Sequence, residues 1–138
     1  MIGRILRQKA KGKRQKGFSL LELVIAMFVL VILISVAVPT FQRTVKQARE
    51  TVLKENLWQM RRMIDQYAAD KGKLPKSLDD LKEAGYLKEI PTDPITEEDE
   101  WKQEQGEDIN SPDGEQGLIN VKSVADGEDS TGKRYSEY

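Results

Sequence analysis

The groups in this chain that can do chemistry are carboxylates, hydroxyls and amines, because it contains no histidine and no cysteine. That removes the commonest general base and metal ligand, and with them thiolate zinc sites and disulfide frameworks. One carboxylate stands out by its surroundings. Glu22 lies inside the run from Phe18 to Val38, FSLLELVIAMFVLVILISVAV, whose other polar members are Ser19 and Ser35. An acid at the centre of a membrane helix costs about 2.5–3.5 kcal/mol for Asp on insertion scales, somewhat less nearer the end, and such a group persists where it has a partner. Cutting the peptide bond after Gly17 would create that partner. Phe18 would then carry a cationic amine one helical turn from Glu22, and in a staggered stack of parallel helices one copy's carboxylate would meet its neighbour's amine.

Two other stretches gather oxygen atoms. Ser123-Val124-Ala125-Asp126-Gly127-Glu128-Asp129-Ser130 has two readings. As a calcium loop it would use Asp126 and Asp129 as side-chain ligands with Ser123 beside them, since Ca²⁺ takes 6–8 oxygens on a turning backbone. As an acid-and-glycine stretch it is a solvated loop. Asp79-Asp80 and Glu97-Glu98-Asp99-Glu100 offer adjacent carboxylates, but they read as a helix start and an exposed acidic run. No catalytic residue is expected, no cofactor is required, and the chain is not expected to be an enzyme.

The elements that must position these groups follow from charge and periodicity. A chain of 138 residues has room for one small domain. Residues 1–17 carry seven Lys or Arg and no acid, which leaves 15 basic against 23 acidic side chains in the remainder. That remainder, near −8, disfavours nucleic-acid binding, which needs clustered positive charge. The 21 residues 18–38 make a helix roughly 31 Å long, close to the ~30 Å thickness of a bilayer core. The basic segment before it predicts a cytoplasmic N-terminus and an exported remainder.

From Thr40 the apolar residues Val45, Ala48, Val52, Leu53, Leu57, Met60, Ile64 and Tyr67 recur at steps of three or four with one phase adjustment. This is the period of an amphipathic helix. The intervening Arg43, Lys46, Gln47, Arg49, Glu50, Lys54, Arg61, Arg62 and Asp65 form its polar face. One helix is expected from Phe18 to about Asp70, bent at Pro39, where a backbone hydrogen bond is lost. Gly72 and Pro75 stop it. Ser77 is the expected cap of a short helix closed at Gly85. Trp101 and Gly117–Val121 are strand candidates, with Pro112-Asp113-Gly114 turning between them.

Two plain readings compete for the N-terminal segment. A secretory signal would be cut at Ser35-Val36-Ala37, but its apolar core would exceed the usual 7–15 residues and would contain Glu22. A simple signal anchor explains length and charge and leaves Gly17, Phe18 and Glu22 without a role. Lys16-Gly17-Phe18-Ser19-Leu20-Leu21-Glu22-Leu23 resembles the prepilin signature of the type IV pilin-like family, with Pro39 also where that family has a proline. The resemblance implies cleavage after Gly17, methylation of Phe18 by the same membrane peptidase, and polymerisation through residues 18–38 in which Glu22 and Pro39 serve assembly. It implies as partners other copies of the chain, the prepilin peptidase and N-methyltransferase, an inner-membrane platform protein, an assembly ATPase and minor pseudopilins or pilins.

Tyr67 to Pro94 further resembles the major pseudopilin of type II secretion systems, through Gly72, Pro75, Gly85, Tyr86, Leu87, Asp93 and Pro94 in that order. The aromatic turn that usually follows Asp-Pro in that family is replaced here by Ile95-Thr96-Glu97-Glu98-Asp99-Glu100-Trp101. The expected architecture is α+β and pilin-like: a leader over 1–17, a membrane and polymerisation helix over 18–38, its amphipathic continuation over 39–70, and a small α/β-loop region with an acidic tail over 71–138. The expected role is a pseudopilus subunit driving protein export, anchored in the bacterial inner membrane before assembly. A surface type IV pilin serving adhesion, twitching or DNA uptake and, from another class, a signal-anchored periplasmic binding domain are the alternatives.

Overall fold

The computed structural model describes Gly12 and residues 16–138, so most of the basic leader lies outside the described residues. Helix α1 runs Leu20–Lys71, 52 residues. It starts two residues later than expected because Ser19 caps it: the Ser19 hydroxyl accepts the Glu22 N–H at 3.1 Å and its carbonyl accepts the Leu23 N–H. Glu22 in the first turn also suits the positive end of the helix dipole. Pro39 has no N–H to give the carbonyl of Ser35, yet the helix continues through it without a break.

The chain divides into two compact units, residues 1–39 and 40–138. In the first, every described side chain from Lys16 to Pro39 is exposed. Fifteen large apolar side chains from Leu20 to Val38 are among them. At about 1.5–3 kcal/mol for each such side chain left in water, the sum is on the order of tens of kcal/mol, beyond the ~5–15 kcal/mol that holds a typical domain together. This segment is stable only inside lipid or among other helices.

The second unit has its own core. Leu53, Leu57, Met60 and Ile64 of α1 pack with Leu78, Leu81, Leu87, Trp101, Leu118, Val121, Ala125 and Tyr135. Tyr86 is partly buried against it, its ring meeting that of Tyr67 edge-on at 5.4 Å. The apolar stripe begins later than its period suggested: Ala48 and Val52 are exposed, and Glu50, expected on the polar face, is buried.

Gly72, at φ 68°, closes α1 by donating to the carbonyl of Ala68. Helix α2, Leu78–Glu83, follows. Ser77 has the extended backbone of a cap but its hydroxyl does not cap. The Leu78 N–H is instead met by the Gln103 side-chain oxygen at 3.0 Å, and the Lys76 N–H by Asp80 at 2.8 Å. Strands β1, Trp101–Glu107, and β2, Gln116–Ser123, pair antiparallel from Trp101 opposite Ser123 to Glu107 opposite Gln116, with an irregularity at Glu104/Gln105. Residues 108–115 join them, Asp108 donating its N–H to the carbonyl of Glu115. β2 approaches the Leu74-Pro75 backbone closely: the Leu118 N–H donates to the Pro75 carbonyl at 2.7 Å, and a Cβ on Gly117 would lie 2.5 Å from that of Leu74. Only glycine fits there. The result is the α+β arrangement of a long apolar-to-amphipathic helix, a short helix and a two-stranded antiparallel sheet.

Candidate functional site

Gly17 and Phe18 precede the first turn of α1 in exposed, non-helical chain, Phe18 with 84% of its surface open. A Cβ on Gly17 would meet nothing within 4 Å. An uncovered, non-helical peptide bond is what a peptidase requires, and glycine before it offers no side chain to obstruct the cut. Glu22 lies on α1 four residues beyond Phe18 and is exposed within its own chain. Its carboxylate is therefore free to meet a partner on another molecule. Pro39 is exposed at the junction of the two units.

The loop after β2 is organised by three acids. Asp93, fully buried, accepts the hydroxyl of Ser123 on one oxygen and the N–H groups of Ile95 and Thr96 on the other. Glu50 on α1 accepts the N–H and hydroxyl of Ser130 and the hydroxyl of Tyr135, with the Lys46 ammonium 3.9 Å away. Asp129 accepts the N–H and hydroxyl of Thr131, the N–H of Lys133 and the hydroxyl of Tyr138. Arg61 completes the closure by donating to Asn120 and to the carbonyls of Val121 and Tyr138. Neither Glu50 nor Arg61 stands out in the amphipathic pattern by residue type. Glu50 was nevertheless legible by phase, since it lies three and seven residues before the buried Leu53 and Leu57.

These bonds change the reading of the calcium candidates. Asp129 takes three protein donors on one carboxylate oxygen, Thr131 N–H and hydroxyl and Lys133 N–H, and the Tyr138 hydroxyl on the other. Ser123 gives its proton to Asp93 and accepts the Ala125 N–H. Asp126 is exposed and lines a cleft of about 700 Å³ with Glu128, but Lys102 and Arg134 line the same cleft. Among the described residues no three acids gather as a metal group. Ser123 and Asp129 thus spend their hydrogen bonds on the turn itself, while Asp126 shares its cleft with Lys102 and Arg134.

The hydroxyls of Thr131 and then Tyr138 hold the Asp129 carboxyl well below the usual carboxylate range. Burial, and then Asp129, pushes the Tyr138 phenol up; burial, and then Glu50, does the same to Tyr135. A lowered carboxyl contributes stability that is present above its unfolded value, about 3.9, and lost as pH falls through the folded one. A raised phenol contributes stability present below about 10 and lost as pH rises through its folded value. Residues 40–138 are therefore expected to lose thermal stability below about pH 4 and above about pH 10, and to keep the same midpoint with calcium or with a chelator at pH 7. A chelator-induced drop of several degrees in a calorimetric scan would return calcium to this loop.

An exposed apolar helix with a single carboxylate, an open glycine–phenylalanine junction ahead of it and a small α+β unit behind it define a membrane-anchored, single-pass subunit of the pilin-like class. Residues 12–38 match the family described as the prokaryotic N-terminal methylation motif. Over 73 residues the chain is 30% identical to the competence protein ComGC of Halalkalibacterium halodurans, an alignment covering 53% of this chain and 72% of that protein. No solved structure is significantly similar to it. The chain belongs to the type IV pilin-like family.

Proposed function

We propose that this chain is the major pseudopilin of a type II secretion apparatus, a filament subunit that works mechanically and catalyses nothing. In this reading the leader is cut after Gly17, Phe18 becomes the methylated N-terminus, and Glu22 pairs with a neighbour's amine as helices leave the inner membrane for a growing filament. The single-pass chain begins in the cytoplasm and places residues 40–138 in the periplasm, consistent with the basic leader. The platform protein, the assembly ATPase and minor pseudopilins are the machinery such a subunit needs.

The observation that carries the secretion reading is the ordered path of the globular part. Gly72 and Pro75 end α1, α2 closes at Gly85, Tyr86 and Leu87 enter the core, and the turn at Asp93-Pro94 leads to the hairpin. That succession supports a pseudopilin. Similarity to a competence protein favours a second reading, a surface type IV filament.

Deleting the gene in its host separates the two. Loss of exported proteins from the medium with surface filaments intact is the expected result. Loss of surface filaments or of DNA uptake, with export unchanged, would replace the secretion reading with the second.

A further inference from the structure

The globular unit carries two oppositely charged patches on opposite flanks of α1. At 3.6 residues per turn, Lys54, Trp58, Arg61 and Arg62 lie about 70–170° to one side of the buried stripe, while Arg49 and Asn56 lie about 50–70° to the other. Contacts agree with this count. Arg49 pairs with Glu97 at 3.6 Å and Asn56 donates to the Thr92 carbonyl, so the 92–100 loop occupies one flank. Arg61 and Lys54 meet Tyr138 on the other.

On that second flank is a cleft of about 220 Å³ lined by Lys54, Leu57, Trp58, Arg61, Lys133 and Tyr138. Its lining holds three cations and no acid. The Lys54 and Lys133 ammonium groups stand 5.1 and 5.4 Å from the Tyr138 ring, and the Arg62 guanidinium 5.1 Å from that of Trp58. Trp58 is 55% exposed. An exposed Trp and a half-buried Tyr beside Arg are the residue types that anchor protein interfaces.

On the first flank Glu97, Glu98, Asp99 and Glu100 are all exposed. Among the described residues only Glu97 of these four enters an ion pair. Their loop is fixed in place: Asp93 exchanges backbone hydrogen bonds with Glu97 and Glu98 and turns its side chain back onto Ile95 and Thr96. Such a loop loses little conformational freedom on docking.

We propose that the cleft at Lys54, Trp58 and Lys133 of one copy, with Arg62 at its edge against the Trp58 ring, receives the Glu97–Glu100 loop of a second copy in the filament. The inference rests on the filament reading above and deepens it. Patches on opposite flanks of one rigid unit cannot meet within a chain. Between chains each copy offers its loop to the next and keeps its own cleft for the one before, a head-to-tail contact that propagates along a helical array. Complementary charge sets the register, and Trp58 supplies the apolar anchor.

The test uses the full chain in its host. Lys54→Glu with Arg62→Glu, or Glu98→Lys with Asp99→Lys and Glu100→Lys, should each cut sheared filament yield about tenfold, and the combined variant should recover most of it. Because the chain has no cysteine, Arg62→Cys with Asp99→Cys adds a second readout. Mild oxidation of those filaments should give a ladder of covalent multimers that neither single variant gives. Unchanged yield in both reversals, or filaments of the double-cysteine chain without a ladder, would overturn the contact and leave the filament reading standing. An unaltered chain that forms no filament would overturn both.

Discussion

Glu22→Ala is expected to reach the membrane and be cut after Gly17 as the unaltered chain is, and to lower filament yield by about a hundredfold or more. Insertion should not suffer, because removing a carboxylate from an apolar run relieves a cost of up to about 2.5–3.5 kcal/mol. Assembly should, because breaking a buried pair by deleting one member leaves the other uncompensated, at about 3–5 kcal/mol. At 1.4 kcal/mol per factor of ten, that loss is about two to three and a half orders of magnitude for each subunit added. Glu22→Gln keeps a hydrogen-bond acceptor and should fall between the two. Filaments sheared from cells and compared with membrane-fraction subunit by immunoblot measure the effect, and mass spectrometry of the N-terminus checks the cut. A normal filament yield from a correctly processed Glu22→Ala chain would remove amine pairing as the basis of assembly.

The membrane half of the chain was legible because its physics is one-dimensional. A long apolar run, a charge step and one misplaced acid can be read residue by residue, and the exposure of every side chain from Lys16 to Pro39 is what such a segment looks like before lipid or neighbours cover it. The stop signals of α1 at Gly72 and Pro75 and the hairpin around Asp113-Gly114 were also local, since turn residues act on their own backbone.

The closure of the globular half was not legible, because it depends on pairs far apart in sequence. Glu50 meets Ser130 and Tyr135 across 80 and 85 residues, Arg61 reaches Val121 and Tyr138 across 60 and 77, and Gln103 supplies the cap expected from Ser77. The pseudopilin resemblance, whose family has a calcium loop near the C-terminus, and a run of closely spaced oxygen groups together made the acid-and-glycine stretch a calcium candidate. What the sequence could not convey is that Asp129 finds four donors within nine residues of itself, which makes it the organiser of a turn.

Asp93→Ala is expected to destabilise residues 40–138 by about 3–5 kcal/mol. Asp93 is fully buried, and its removal strands the Ser123 hydroxyl and the Ile95 and Thr96 N–H groups. Each stranded donor costs about 1–3 kcal/mol, less where water can reach it, as it can at the half-buried Ile95 and Thr96. Against a typical domain stability of about 5–15 kcal/mol, that is enough to bring so small a unit near its threshold. Asp93→Asn should lose much less, about 1 kcal/mol, because its amide oxygen still caps the turn and Ser123 has a second lone pair with which to accept the new N–H. Ser123→Ala should fall between. Since the two residues share one hydrogen bond, the Asp93→Ala and Ser123→Ala losses should not add in the double variant. Urea unfolding of residues 40–138 measures all four. The Asp93 loop also presents Glu97 to Glu100, so Asp93→Ala should depress filament yield, whereas Asp93→Asn should largely restore it. An Asp93→Ala chain within about 1 kcal/mol of the parent would mean that water replaces the carboxyl at no cost and that the acidic loop is held by its backbone alone.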